Sequence, residues 1–345
     1  MREFIKRKQK DYVLVFGLIA VLALGLFIDN KYLLDIFITT IYFCVIAGAW
    51  NIMCGYAGQL SLGHVVFMGV GQYTSTILFV RLGISPWIGM FAGTIVAMIL
   101  AFFVGLLALR LKSFFFSLST IALVTIFQVL AIKLDGLTGG SVGISIPYEP
   151  SFVNMIFKEY KPSLILFLLL LLAVLLTTTY ISKSKLGANL VAMREDDMAA
   201  SSLGVNLLTN KITALCISAF FTSIAGTLYS QYTLYVDPNG SFNLITSQKA
   251  AILTIVGGSG TIFGPVIGGL ILGPTEIFLR GWLGSTFQGA YLVIYGILLV
   301  VVVLVMPQGI VGAIKNKRTK KARHLQEEML KAEVNKQHNH VHKKL

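Results

Sequence analysis

MREDDMAASSLGVN, residues 193–206, places one Arg and three acids (Arg194, Glu195, Asp196, Asp197) ahead of two alanines and a glycine. On either side lie long apolar runs, near 162–181 before it and 211–230 after it. The chain around it has 345 residues, of which 56% are hydrophobic and only 12% charged. Soluble domains carry about 25% charged residues. Half that charge, with repeated apolar runs of roughly 18 residues or more, describes a multi-span membrane protein in which 193–206 is a polar excursion between two spans. Lipid cannot satisfy backbone polar groups, so the runs must be helices or barrel strands. They are continuous and do not alternate, which selects helices over a barrel. The expected fold class is therefore all-α, a polytopic membrane protein of about nine to ten transmembrane helices.

Apolar runs fall near 12–28, 32–53, 60–80, 86–109, 114–132, 162–181, 211–230, 247–279 and 287–306. Residues 1–11 hold five Lys/Arg against two acids, and 315–345 hold ten against three, within a net charge of +13. Basic residues flanking apolar spans follow the positive-inside rule, which places both termini in the cytoplasm and makes lipid, not nucleic acid, the partner of the charge. Counting from there, 182–210 returns to the cytoplasm with Lys183, Lys185 and Arg194, and 133–161 lies outside. Parity then requires 247–279 to cross twice or to enter and turn back, with the break at GGSGTIFGP, 257–265. The start MREFIKRKQK resembles a signal peptide but has no small-x-small cleavage site, so an uncleaved first span is expected.

Two glycine-rich segments stand in opposite halves, GYAGQLSLGHVVFMGVGQYTS at 55–75 and VGGSGTIFGPVIGGLILG at 256–273. Their likeness suggests an internal repeat of the kind found in transporters. In the second, Gly260, Gly264 and Gly268 recur every four residues, on one helix face where backbones could approach closely. The first is unusually polar for a span: Gln59, Ser61, His64, Gln72, Tyr73 and Thr74 suit a translocation path better than a lipid face. His64, the one histidine outside the tail, either lines a path or carries a proton, or is a satisfied hydrogen-bonding residue between helices. Glu276 and Arg280, four apart, can pair on one helix face, or Glu276 can be a carboxylate that cycles in a proton-coupled carrier.

Catalytic and ligand-binding signatures are missing. The sequence holds no G-x-x-x-x-G-K-[ST] or HExxH and no Cys/His ligand set. Cys44, Cys54 and Cys216 lie unpaired in apolar runs, and the tail HNHVHKK has no defined ligand geometry. No cofactor and no metal are expected, and a membrane enzyme is the least favoured class.

Within 193–206, alanines after an acidic start favour a short helix that Gly204 can end, a docking element on the cytoplasmic side. At this point the chain resembles the LivM-type permeases of ATP-binding cassette importers for branched-chain amino acids, from about residue 38 to 312. The resemblance rests on NIMCGYAGQLSLGHVVFMGVGQYTS (51–75), LTGGSVGI (137–144), REDDMAASSLGVN (194–206), KITALCISAFFTSIAGTLYS (211–230), TIVGGSGTIFGPVIGG (254–269) and MPQGIVG (306–312). It implies an importer permease fold over 12–312, with a coupling loop at about 182–210, between a basic N-terminus (1–11) and a basic tail (313–345). It implies that Ala199, Ala200 and Gly204 form the core of a helix that docks on the ATPase. Met198 stands where the general importer pattern has Glu, so Arg194, Glu195, Asp196 and Asp197 would supply the charged contacts. It further implies a second, LivH-like permease, two cytoplasmic P-loop ATPases, an extracellular or periplasmic binding protein and a prokaryotic inner membrane. Leucine, isoleucine and valine are the implied substrates, with urea, short amides or other amino acids as the alternative. Glycine breaks bearing Gly257, Gly258, Gly260 and Gly264 would expose backbone dipoles to the zwitterion. A stand-alone proton-coupled carrier is the rival class.

Overall fold

The computed structural model describes residues 2–111 and 113–283, and beyond them only 293–294, 296–297, 300, 304 and 309–313. The expected span at 287–306 falls almost wholly outside the described residues, as do the tail 314–345 and the side chains of 2–10. The described chain is helical almost throughout: α1 (Arg2–Ala23), α2 (Lys31–Asn51), α3 (His64–Leu82), α4 (Pro86–Ala108), α5 (Ser113–Lys133), α6 (Asp135–Thr138), α7 (Tyr160–Lys183), α8 (Lys185–Glu195), α9 (Asp197–Ser202), α10 (Leu207–Thr233), α11 (Pro238–Ser241), α12 (Leu244–Gly257) and α13 (Gly264–Leu283). Among the described residues six stretches are long and apolar enough to cross a membrane: Lys31–Tyr56, His64–Leu82, Pro86–Ala108, Phe114–Lys133, Tyr160–Lys183 and Leu207–Thr233. The protein is an all-α, multi-pass membrane protein.

α2 is the central post. It packs against α7, α10, α12 and α13, and fourteen of its residues are buried, Trp50 among them. α3, α4 and α10 form a second group in mutual contact. Small residues bring these three together: a Cβ on Gly71 would meet the Ser223 backbone, one on Gly93 would lie 3.0 Å from the Gly71 oxygen, and one on Gly226 would meet the Met68 backbone. Apolar burial has little driving force between helices surrounded by lipid, and close backbone approach supplies van der Waals contact instead. Of the six long helices α5 is the least enclosed, with Phe114, Phe115, Leu118, Ile126 and Val129 exposed.

The apolar run at 60–80 becomes helix only from His64, after an irregular start. α2 runs on through a π-helical turn, Ile52–Tyr56, and Gly58 at φ +70° turns the chain out of the helix. Residues 58–63 are then irregular. Irregular backbone survives at membrane depth only where protein satisfies it. Here the Trp50 indole donates to the Ser61 carbonyl (2.7 Å), the Ser117 hydroxyl to the Leu60 carbonyl (2.6 Å) and the Leu62 amide to the Thr120 hydroxyl (3.1 Å).

The run at 247–279 breaks at 258–263, inside the segment marked by its glycines. α12 and α13 pack on each other as a hairpin. With 14 residues, α12 is about 21 Å long, less than the roughly 30 Å of a hydrocarbon core. Both glycine-rich segments thus interrupt helix for the same length, 58–63 and 258–263, and helix resumes at His64 and Gly264. The likeness between them in sequence extends to this helix–break–helix form.

At one end of the bundle a two-residue antiparallel pair, Ile144–Ser145 with Tyr235–Val236, ties the 139–159 loop to the end of α10. α8 and α9 lie at the other end of α7 and α10.

Candidate functional site

Residues 193–206 form the end of one helix, a break and a second short helix. Ser184 caps α8, and Asp196 leaves the helix as extended backbone (φ −158°, ψ 112°) to cap α9. Its Oδ1 accepts the Met198 and Ala199 amides at 2.8 and 3.0 Å, satisfying donors that a helix start leaves free. α9 ends with the Val205 amide bonded to the Ala200 carbonyl and the Gly204 amide to the Ser201 carbonyl. This crossed pair of bonds requires a left-handed residue between them, and Gly204 supplies it at φ +82°. Asn206 then caps α10 by accepting the Thr209 amide.

The charges of this element turn mostly inward. Arg194 donates through Nη1 to the Gly55 carbonyl (2.9 Å) and through Nη2 to Glu195 (2.8 Å). Asp197 pairs at 2.7 Å with Lys211, whose side chain is only 6% exposed in the first turn of α10. Ala200 and Met193 are buried. Outward stand Ala199, Ser201 and Ser202, with Met198 at 81% and Leu203 at 83% exposure. Of the charged residues expected to face a partner, Arg194, Glu195 and Asp196 are exposed and Asp197 is half-buried, and each also makes a bond within the chain. Lys211 was not marked by the sequence analysis; its signal is a lysine at the very edge of an apolar run.

Beside this element the second glycine break meets the end of α2 at Asn51 and Gly55. Asn51 accepts the Gly260 amide (2.8 Å) and donates to the Thr261 carbonyl (2.9 Å). Gly260 therefore lies in the turn, not on the α13 face with Gly264 and Gly268 where its four-residue spacing placed it. The close approach expected of that face is nonetheless present. Any Cβ on Gly257, Gly264 or Gly268 would run into backbone across the α12–α13 contact. Gly258 is buried against Gly309, the start of the described 309–313 turn.

The remaining expected path residues, Gln59, Ser61, His64, Gln72 and Tyr73, are all buried within the bundle. His64 is fully buried, its Nε2 2.6 Å from the Ser218 hydroxyl, which donates to the Ala49 carbonyl. Ser61 is buried with its carbonyl held by Trp50. Gln59, Gln72 and Tyr73 are buried with side-chain oxygens that meet no partner among the described residues. Tyr73 stacks on Phe242 at 5.8 Å between ring centres. Phe242 lines a cavity of about 340 Å³ between α5 (Ile121, Val124, Thr125, Gln128) and the segment Asn239–Leu244. Among the described residues no cluster of His, Cys, Asp or Glu could hold a metal ion.

Residues 32–303 match the family described as the branched-chain amino acid transport system permease component. The chain belongs to that family. The permease is 28% identical over 326 residues to the high-affinity branched-chain amino acid transport permease protein LivM of Salmonella typhimurium, covering 88% of this chain and 75% of that one. It is 29% identical over 287 residues to LivH of Escherichia coli, covering 78% and 91%. Among solved structures it is similar to PsaBC from Streptococcus pneumoniae in complex with Fab, with a TM-score of 0.46 and 16% identity over 83% of this chain and 95% of that one.

The permease also carries an ion pair that the sequence analysis did not mark. Glu276 of α13 reaches Lys249 of α12 at 2.7 Å, and the Lys249 ammonium lies 3.7 Å from the centre of the Phe43 ring. The expected partner Arg280 has a side chain outside the described set. The pair links α12, α13 and α2 within the bundle, and Glu276 already has a counter-charge there.

Proposed function

We propose that this chain is the membrane-spanning permease subunit of an ATP-driven importer of branched-chain amino acids. The observation that carries the reading is the family match over 32–303, within which α9 stands at one end of the bundle as a capped, glycine-terminated helix with an unpartnered outer face. In this reading Met198, Ala199, Ser201 and Leu203 seat against a cytoplasmic P-loop ATPase, and the contact is more apolar than the acids of 195–197 suggest. A second, LivH-like permease completes the path. A binding protein delivers substrate at the face of the 139–159 loop. ATP is hydrolysed in the partner subunits, and the complex sits in a prokaryotic inner membrane with both termini of this chain cytoplasmic.

The stand-alone carrier requires a membrane carboxylate that gains and loses a proton. Glu276 stands 2.7 Å from Lys249 in an ion pair between α13 and α12, a structural use of the carboxylate.

The test is purification of the tagged chain in mild detergent from its own membranes, with mass spectrometry of what accompanies it, followed by leucine uptake in proteoliposomes. Two P-loop ATPases and a second multi-span chain, with uptake that needs ATP, are expected. A chain that purifies alone and moves leucine on a proton gradient overturns the reading. A complex that moves urea and not leucine corrects the substrate only.

A further inference from the structure

We infer that Arg194 is a positioning residue that joins the α8–α9 element to both glycine breaks of the transmembrane core, so that motion of the element moves the two breaks together. The inference rests on the importer reading above and deepens it.

The Gly55 carbonyl lies in the π-helical turn that ends α2. The last carbonyls of a helix have no intrahelical donor, and a cation there also meets the negative end of the helix dipole. Arg194 Nη1 supplies both, at 2.9 Å. Its aliphatic stem lies on Gly58, where an added Cβ would stand 2.7 Å from Cγ. Its guanidinium lies on Gly260, where an added Cβ would stand 2.6 Å from Nη1 and 2.8 Å from the Gly55 oxygen. The socket is thus built from glycines of both breaks, and any side chain on Gly58 or Gly260 would displace the arginine.

Asn51, the last residue of α2, fastens the second break to the end of that helix on the far side of the socket, through the Gly260 amide and the Thr261 carbonyl. Glu195 holds the other edge of the guanidinium, accepting from Nε at 3.3 Å and Nη2 at 2.8 Å. A planar fork with several donors meets the carbonyl and the carboxylate at once; a lysine ammonium on a flexible stem does not present that geometry. If α8–α9 shifts when the ATPase closes, the Gly55 carbonyl and the 258–263 turn must follow, or these bonds break. An outward docking role would instead leave the guanidinium free of the core.

The experiment uses the whole complex in proteoliposomes, with leucine taken up and ATP hydrolysed measured on the same sample. In Arg194→Gln the ATPase subunits stay bound, and leucine moved per ATP falls by about ten-fold, a coupling loss in the usual range. Arg194→Lys recovers only part of it. Gly260→Ala, which keeps the charge and wedges the socket, lowers the same ratio. An unchanged ratio in Arg194→Gln and Gly260→Ala overturns the inference. So does loss of the ATPase subunits from a stably folded Arg194→Gln chain, which makes Arg194 a docking contact. If the wild-type chain brings no ATPase with it, the importer reading itself has failed, a result recognisable before any variant is made.

Discussion

Ser218 has one proton to donate, and it goes to the Ala49 carbonyl at 2.7 Å. With that proton on Ala49, the Ser218 oxygen accepts across the 2.6 Å contact from a His64 protonated on Nε2. His64 is thereby a tie between α3, α10 and α2. His64→Ala should lower the unfolding free energy by about 2–4 kcal/mol, read as a fall in melting temperature. Uptake by the surviving protein should keep its pH profile, whereas a proton-carrying histidine would take the profile with it. The polarity of 55–75 was legible in the sequence. The partner was not, because Ser218 lies 154 positions away and a hydroxyl in an apolar run gives no sign of which helix it faces. The same holds for Glu276: the sequence offers Arg280 one turn along, and the fold brings Lys249 from the neighbouring helix.

Helix α9 is six residues long, and its shape depends on its two ends. Asp196 opens it and Gly204 closes it. The glycine stop was legible, since an Ala-Ala-x-x-x-Gly run ends where only a left-handed residue fits. The split from α8 was not, because three acids in a row suit a helix start equally well at 195, 196 or 197. With Met198 and Leu203 the most exposed apolar side chains of the element, Leu203→Asp should cost at least about 1.4 kcal/mol of ATPase affinity, a ten-fold loss on co-purification, while the chain stays folded. The α12–α13 hairpin answers to two other changes. Gly268→Val sets a branched side chain against the Leu253 carbonyl and should prevent the hairpin from closing, seen as loss of folded protein in detergent. Glu276→Gln removes the carboxylate from Lys249 and should destabilise by about 2 kcal/mol or more, and Lys249→Met in the same chain should restore much of it. The run 247–279 showed where it would break because glycine and proline mark the cheapest places, but Gly260 shares a four-residue spacing with Gly264 and Gly268 without sharing their helix.

At the scale of the molecule, hydropathy was enough for the class: it counts apolar runs, and six of them are long apolar helices among the described residues. How the helices cross-brace was hidden, since the braces are hydroxyls, carbonyls and glycines spread over the whole chain. The importer reading makes uptake a property of the assembly, so proteoliposomes holding this chain alone should show no leucine uptake above background, with or without a proton gradient. The bond from Asn51 to Thr261 spans 210 positions. A membrane protein is made from its first residue onward, so α2 enters the bilayer long before its acceptor has left the ribosome. Until then the Asn51 amide must find other company, in water, lipid headgroups or the insertion machinery, and a nascent chain stopped before residue 260 still lacks the bolt between its two halves.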